Sequence, residues 1–193
     1  SFLVNLLKYQ IDENDKCLIQ NDGEQILTLN IELLKSGVDI EFESRIDAVE
    51  GNSSFKDKNK QIKFNVASLV PNQYSIFLIK NQVQYEVDTV LILDDIDIKS
   101  ASPNKLFSPI PTNQEITFRF TRALEYNEIS SIILYSETEE KERLTGCQVS
   151  ENDLICENSL VNVSPGDTLF IKFTRESCPN KQWISKVNKM TVE

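Results

Sequence analysis

The sequence contains no histidine. This absence removes the commonest general base and the commonest transition-metal ligand. Ser-His-Asp and Cys-His hydrolytic sites are excluded, and so are histidine-bearing zinc centres. A carboxylate pair could still cleave glycosidic bonds, but no two of the 30 acidic residues stand apart from a solvated background. Lysine and arginine number only 20, leaving a net charge of −10. Phosphate backbones and anionic lipid call for clustered cations, so neither nucleic acid nor an acidic membrane surface is expected as a partner. The excess of negative charge is read first as a solubility feature. No run of 18 apolar residues occurs, so no helical membrane span is expected. No secretory leader pattern is visible either. The chain begins at Ser1 without an initiator methionine, and we expect a mature or internal segment of a longer secreted protein. Glycine and proline are scarce, at 5 and 6 of 193 residues, and there is no low-complexity tract. Disorder is therefore not expected over most of the length.

What the sequence does contain is alternation. Leu27, Leu29, Ile31 and Leu33 fall on one side of a run whose other side is Thr28, Asn30 and Glu32. Val38, Ile40 and Phe42 alternate with Asp39, Glu41 and Glu43, and Ile62, Phe64 and Val66 follow the same rule. Ile116, Phe118 and Phe120 repeat it against Thr117, Arg119 and Thr121. A period of two is the signature of half-buried strands. Residues 2–9 read as a leading strand, 74–80, 84–93, 168–174 and 183–192 as later ones, and 129–136 as a strand apolar on both faces. Residues 51–60 read as a polar loop and 137–143 as a charged one. Residues 136–144 carry helix-forming Glu and Lys but are short and lack an apolar stripe, so a loop or strand extension is expected there.

The alternation restarts after about 90 residues, the length of one immunoglobulin-like unit. Leu27-Leu29-Ile31 corresponds to Ile116-Phe118-Phe120. Pro71 before Tyr74–Lys80 corresponds to Pro165 before Thr168–Lys172. The expected fold is all-β, two tandem immunoglobulin-like β-sandwiches over 1–94 and 95–193. Trp183 and Met190 are expected to pack in the core or at its edge.

Cys147-Gln148-Val149 with Leu154-Ile155-Cys156, followed by Pro165-Gly166-Asp167 and Leu169-Phe170-Ile171, resembles the IPT/TIG repeat. The likeness lies mainly in residues 95–193, with Pro71-Asn72-Gln73-Tyr74 similar at the same place in the first half. Thr112-Asn113-Gln114-Glu115 stands where that family has glycines, and the first half lacks the hairpin cysteines. The resemblance implies a sandwich fold and an adhesion or surface-protein architecture. It carries no catalytic residues.

The four cysteines are Cys17, Cys147, Cys156 and Cys178, with no CxxC, which gives a zinc knuckle or thioredoxin-like site no support. An even count suits an oxidising, extracellular compartment. Cys147 with Cys156 is expected as a local disulfide; closing such a loop stabilises by roughly 2–3 kcal/mol in the chain-entropy model. Cys17 and Cys178 are expected at facing poles of the two halves and proposed as an inter-domain bond. Two free thiols, or bonds to neighbouring segments of a longer protein, are the alternatives. Asp94, Asp95 and Asp97 in the linker, with Asp12, Glu13 and Asp15 in a turn, offer the oxygens that calcium needs; a solvated acidic turn is the plainer reading, and no other cofactor is expected. Asn52 and Asn162 head glycosylation sequons.

The expected function is non-enzymatic: an extracellular or cell-surface segment of tandem modules for adhesion, recognition or spacing in a larger assembly. Its partners would be other protein surfaces or neighbouring subunits. The alternatives are a carbohydrate-binding module, for which Tyr126 and Tyr135 are the candidate aromatics although the core could claim both, and an accessory domain of a larger secreted enzyme.

Overall fold

The computed structural model describes residues 7–20, 25–34, 42–56, 59–107 and 114–193. Among the described residues the regular structure is β-strand throughout, apart from one short 3-10 turn. The chain divides into two compact units, Ser1–Asp95 and Ile96–Glu193.

In the N-terminal unit one sheet runs in the order β1 (Leu7–Ile11), β3 (Ile26–Leu33), β7 (Asn59–Asn65), β6 (Asn52–Lys56). The other runs β2 (Cys17–Ile19), β9 (Val83–Leu93), β8 (Asn72–Lys80), β4 (Glu43–Ile46), β5 (Val49–Glu50). Leu27 lies opposite Phe64 and Leu29 opposite Ile62, and all four are fully buried. They form one core with Ile46, Ile76, Leu78, Val90 and Ile92 from the other sheet. The period-two pattern thus places one side of each sheet inward. Of the leading strand expected over 2–9, residues 2–6 lie outside the described residues; the observed strand continues to Ile11. Residues 38–41 also lie outside them, and Phe42 is buried just ahead of β4.

In this unit two elements differ from the sequence expectation. Residues 52–56 are a strand, not a loop, paired with β7 from Asn52 opposite Lys63 to Lys56 opposite Asn59. The strand sits at the sheet edge with Asn52, Ser53 and Ser54 exposed. It joins through backbone hydrogen bonds and shows no apolar alternation over those residues, a polar edge of the kind that discourages further pairing. The first strand is also divided. After β1, the 3-10 turn Glu13–Asp15, capped by Asp12 accepting from the Asn14 N–H at 3.0 Å, swings the chain onto the other sheet. There β2 pairs in parallel with β9, Cys17 opposite Leu91.

The C-terminal unit repeats this plan strand for strand. One sheet is β10 (Ile98–Ser102), β12 (Gln114–Phe120), β16 (Asp153–Asn158), β15 (Gln148–Ser150). The other is β11 (Lys105–Leu106), β18 (Cys178–Val192), β17 (Thr168–Arg175), β13 (Ile129–Tyr135), β14 (Glu140–Leu144). Here too the first strand splits: β10 ends at Ser102-Pro103, and β11 pairs in parallel with β18. Proline cannot donate to a ladder, which suits it to the switch point. Ile116, Phe118 and Phe120 are fully buried, as are Met190 and the inward residues Leu169, Ile171 and Phe173; Trp183 is buried beside them. Residues 137–139 bend and 140–144 form a strand opposite β13. β13 is apolar on both faces: Ile132 and Leu134 pair with the inward Phe173 and Ile171, while Ile133 pairs with Lys172.

Candidate functional site

A depression in the C-terminal unit lies where the β12–β13 loop faces the hairpin of β15 and β16. The loop is held from several directions. Leu124 is buried and its N–H donates to the Glu151 carbonyl at 2.9 Å. The Glu128 N–H closes a turn onto the Glu125 carbonyl at 3.1 Å, and the Glu176 N–H donates to the Glu128 carbonyl at 2.9 Å. The Arg122 guanidinium donates to both Glu128 carboxylate oxygens, at 2.8 and 3.0 Å, and to the Ala123 carbonyl. Asn127 takes a positive φ of 58° at the crest of the turn, a conformation that asparagine tolerates better than most residues. With the loop base fixed, Tyr126 is pushed outward and stands 87% exposed.

The opposite wall is fixed covalently. Cys147 and Cys156 form a disulfide with Cα atoms 4.4 Å apart. The bond ties the segment just ahead of β15 to the fourth residue of β16, where Cys156 is fully buried opposite Ile116. Gly146, at φ 68°, makes the bend that leads into it, a backbone state that costs glycine little. Between the walls is an open cleft of about 480 Å³ lined by Tyr126, Asn127, Gly146, Cys147, Gln148 and Val149. Among the described residues no Lys, Arg, Asp or Glu side chain lines it, in a chain of which 26% of residues are charged.

Cys17 opens β2 and pairs with Leu91, two residues before β9 ends, so it lies near the end of the N-terminal unit from which the chain leaves. Cys178 opens β18 after the tight turn from β17; in that turn the Glu176 N–H donates to the Glu128 carbonyl of the β12–β13 loop, and the loop begins beside the incoming chain, where the Thr121 N–H donates to the Asp97 carbonyl at 2.9 Å. Both cysteines are buried, and no cysteine among the described residues is free.

The acidic residues are spent locally. Asp12 caps the 3-10 turn, Glu13 pairs with Lys16 at 3.4 Å, and Asp15 accepts from the Thr28 N–H at 3.5 Å. Asp97 accepts from the backbone N–H groups of Ile98 and Lys186 with its two oxygens. Asp94 and Asp95 are engaged as well. Among the described residues no three His, Cys, Asp or Glu side chains are grouped to hold a metal ion. Asn52 and Asn162 are both exposed. The backbone beneath the second is pinned where the Asn162 N–H donates to the Glu142 carboxylate at 2.6 Å.

The two candidate aromatics part company. Tyr135 is half-buried, its ring 5.7 Å from that of Phe170 with the Lys172 ammonium 4.1 Å above it. Tyr126 is claimed by no core. Sequence reasoning could not separate them, because exposure at 126 follows from the anchoring of its loop by Leu124 and Glu128.

No protein-family profile matches the chain, and no curated protein matches it. Among solved structures, a Bacteroides ovatus mixed-linkage glucan utilisation protein, SGBP-B in complex with a heptasaccharide, is 10% identical with a TM-score of 0.35; the match covers 93% of this chain and 44% of that one. The extracellular region of plexin A4 is 11% identical with a TM-score of 0.41, over 96% of this chain and 16% of that one. The mouse coronavirus receptor-binding domain complex with its murine receptor gives 9% identity and a TM-score of 0.38, over 96% of this chain and 99% of that one. The chain thus spans less than half the length of the first two. All three likenesses are weak, and none carries a site residue onto this chain. Among the described residues no helix is long and apolar enough to cross a membrane.

Proposed function

We propose that this chain is a non-enzymatic extracellular segment of two tandem immunoglobulin-like modules, 1–94 and 95–193, used for recognition or spacing in a larger assembly. The observation that carries the reading is the repeated strand order. Each unit spends its apolar residues between two sheets and leaves polar faces and loops outside. In the N-terminal unit Gln10, Asn30 and Gln61 sit side by side across β1, β3 and β7, above a shallow depression of about 430 Å³. Surfaces of this kind suit transient or multivalent contacts better than obligate apolar ones. The test is saturable binding of the immobilised full chain to a library of extracellular ectodomains, run beside turnover assays with glycoside and ester substrates. Binding without turnover supports the reading; turnover without binding overturns it.

A bond between Cys17 and Cys178 belongs to the same proposal. Each lies at the end of its own unit nearest the linker in sequence, and Cys147 and Cys156 occupy each other. Peptide mapping without reduction should recover the two in one cross-linked peptide; separate alkylated peptides would refute the bond. The exposure of Asn52 and Asn162 supports N-glycans at both, which a mass shift on glycosidase treatment of secreted protein would reveal. An accessory domain of a secreted enzyme remains the alternative, decided by the sequence of the parent polypeptide.

A further inference from the structure

We propose that the cleft under Tyr126 binds a neutral carbohydrate. The inference rests on the reading of the chain as a binding module and adds a site and a ligand class to it. The lining chemistry narrows the ligand. A phosphate, a sulfated sugar or an acidic peptide needs cations, and no lysine or arginine lines the cleft. The nearby Arg122 is occupied by Glu128, and Glu125 flanks Tyr126 in the chain, which repels anions further. An apolar ligand needs a greasy enclosure, and Val149 is the one aliphatic side chain in the lining. What the cleft does offer is one bare aromatic ring and the carboxamides of Asn127 and Gln148. A carboxamide both donates and accepts, as a sugar hydroxyl does, and an exposed tyrosine ring presents a flat apolar surface with a polar tip for the C–H face of a pyranose.

Rigidity favours the same conclusion. Soluble sugars exchange water for protein hydrogen bonds at little net gain, so a site for them must be organised before binding. Both walls are fixed, one by the Arg122–Glu128 pair and the Leu124 anchor, the other by the Cys147–Cys156 bond. A protein partner would be expected to bury a larger and more apolar centre.

The test is saturation-transfer difference NMR on the full chain with maltohexaose, cellohexaose, laminarihexaose and mannohexaose, and with a sulfated heparin hexasaccharide as the anionic comparison. At least one neutral hexasaccharide should receive saturation. Tyr126→Ala should weaken its affinity by roughly tenfold, the scale of one aromatic contact, and Tyr126→Trp should preserve it. Far-UV circular dichroism checks that each variant is folded, since Tyr126→Trp adds a second tryptophan to Trp183. Silence from all four neutral sugars, equal transfer to the heparin fragment, or transfer unchanged in Tyr126→Ala would each overturn the proposal. Ectodomain binding that persists while the sugars stay silent removes this site and leaves the broader reading intact. Ectodomain binding lost in Tyr126→Ala with silent sugars would reassign the cleft to a protein.

Discussion

The ring of Phe120 meets the ring of Phe173 edge to face, with centroids 5.3 Å apart and planes at 82°. Phe120 belongs to β12 and Phe173 to β17, so the pair joins the two sheets of the C-terminal unit. Trp183 stacks on Phe173 at 6.0 Å. Replacing Phe173 by Ala removes both ring contacts and leaves a cavity in a fully buried position. The expected cost is about 3–5 kcal/mol. Trp183 is the only tryptophan, so urea unfolding followed by its fluorescence reports this unit directly, with the midpoint moving to lower urea.

In the N-terminal unit Gly51 has no room for a side chain. A Cβ there would press into Ile62 Cγ2 and lie 2.8 Å from Phe64 Cε1, and both neighbours are fully buried. The Gly51 N–H also donates to the Ser44 carbonyl at 2.9 Å, which holds the backbone in place. Gly51→Ala is expected to destabilise by about 1–3 kcal/mol through overpacking. Hydrogen exchange at the Ile62 and Phe64 amides should accelerate accordingly.

Arg119 donates from Nε and Nη2 to the two oxygens of Asp153, at 2.8 and 3.0 Å. The hydrogen bonds from Arg119, and then its charge, hold the Asp153 carboxyl below the usual carboxylate range. A carboxylate with a lowered folded value contributes stability above its unfolded value and loses it as pH falls through the folded one. The advantage of wild type over Asp153→Asn should therefore be full near neutrality and shrink below the carboxylate range, read as melting temperature against pH. Lys16 behaves in the opposite sense. Asp88, and then Glu13, raise its ammonium above the usual lysine range. Its contribution is complete below that range and lost as pH climbs through the raised value, so Lys16→Met should match wild type only in strong alkali.

Calcium has little to gain from the acidic segments. The Asp12 cap and both Asp97 oxygens already accept from backbone N–H groups, so calcium would compete with these contacts for the same carboxylates. Calorimetric titration with millimolar calcium is expected to give no heat beyond dilution, and the melting temperature should not move. A saturable exotherm lost in Asp97→Asn would show a site instead.

The alternation of Leu27-Leu29-Ile31 and Ile116-Phe118-Phe120 made the central strands legible, because a residue facing a core has few substitutes. Edge elements were not legible for the converse reason. β6 contributes backbone bonds from an exposed polar run, and three-residue β2 is too short to show any period. The candidate cleft was hidden for a third reason. Tyr126 is exposed because Arg122 binds Glu128 within the loop and Leu124 binds Glu151 on a distant hairpin, the second a contact that no local pattern encodes.

The parallel pairing of first and last segments within each unit has a mechanical corollary. Leu18 lies beside Ile92 in one unit and Leu106 beside Val192 in the other. Tension applied along the chain drags these neighbours in opposite directions, lengthwise. The ladder bonds between them then share the load and must rupture together, whereas a hairpin would peel open one rung at a time. The split leading strand thus acts as a tether that resists stretching, with three rungs in the first unit and two in the second.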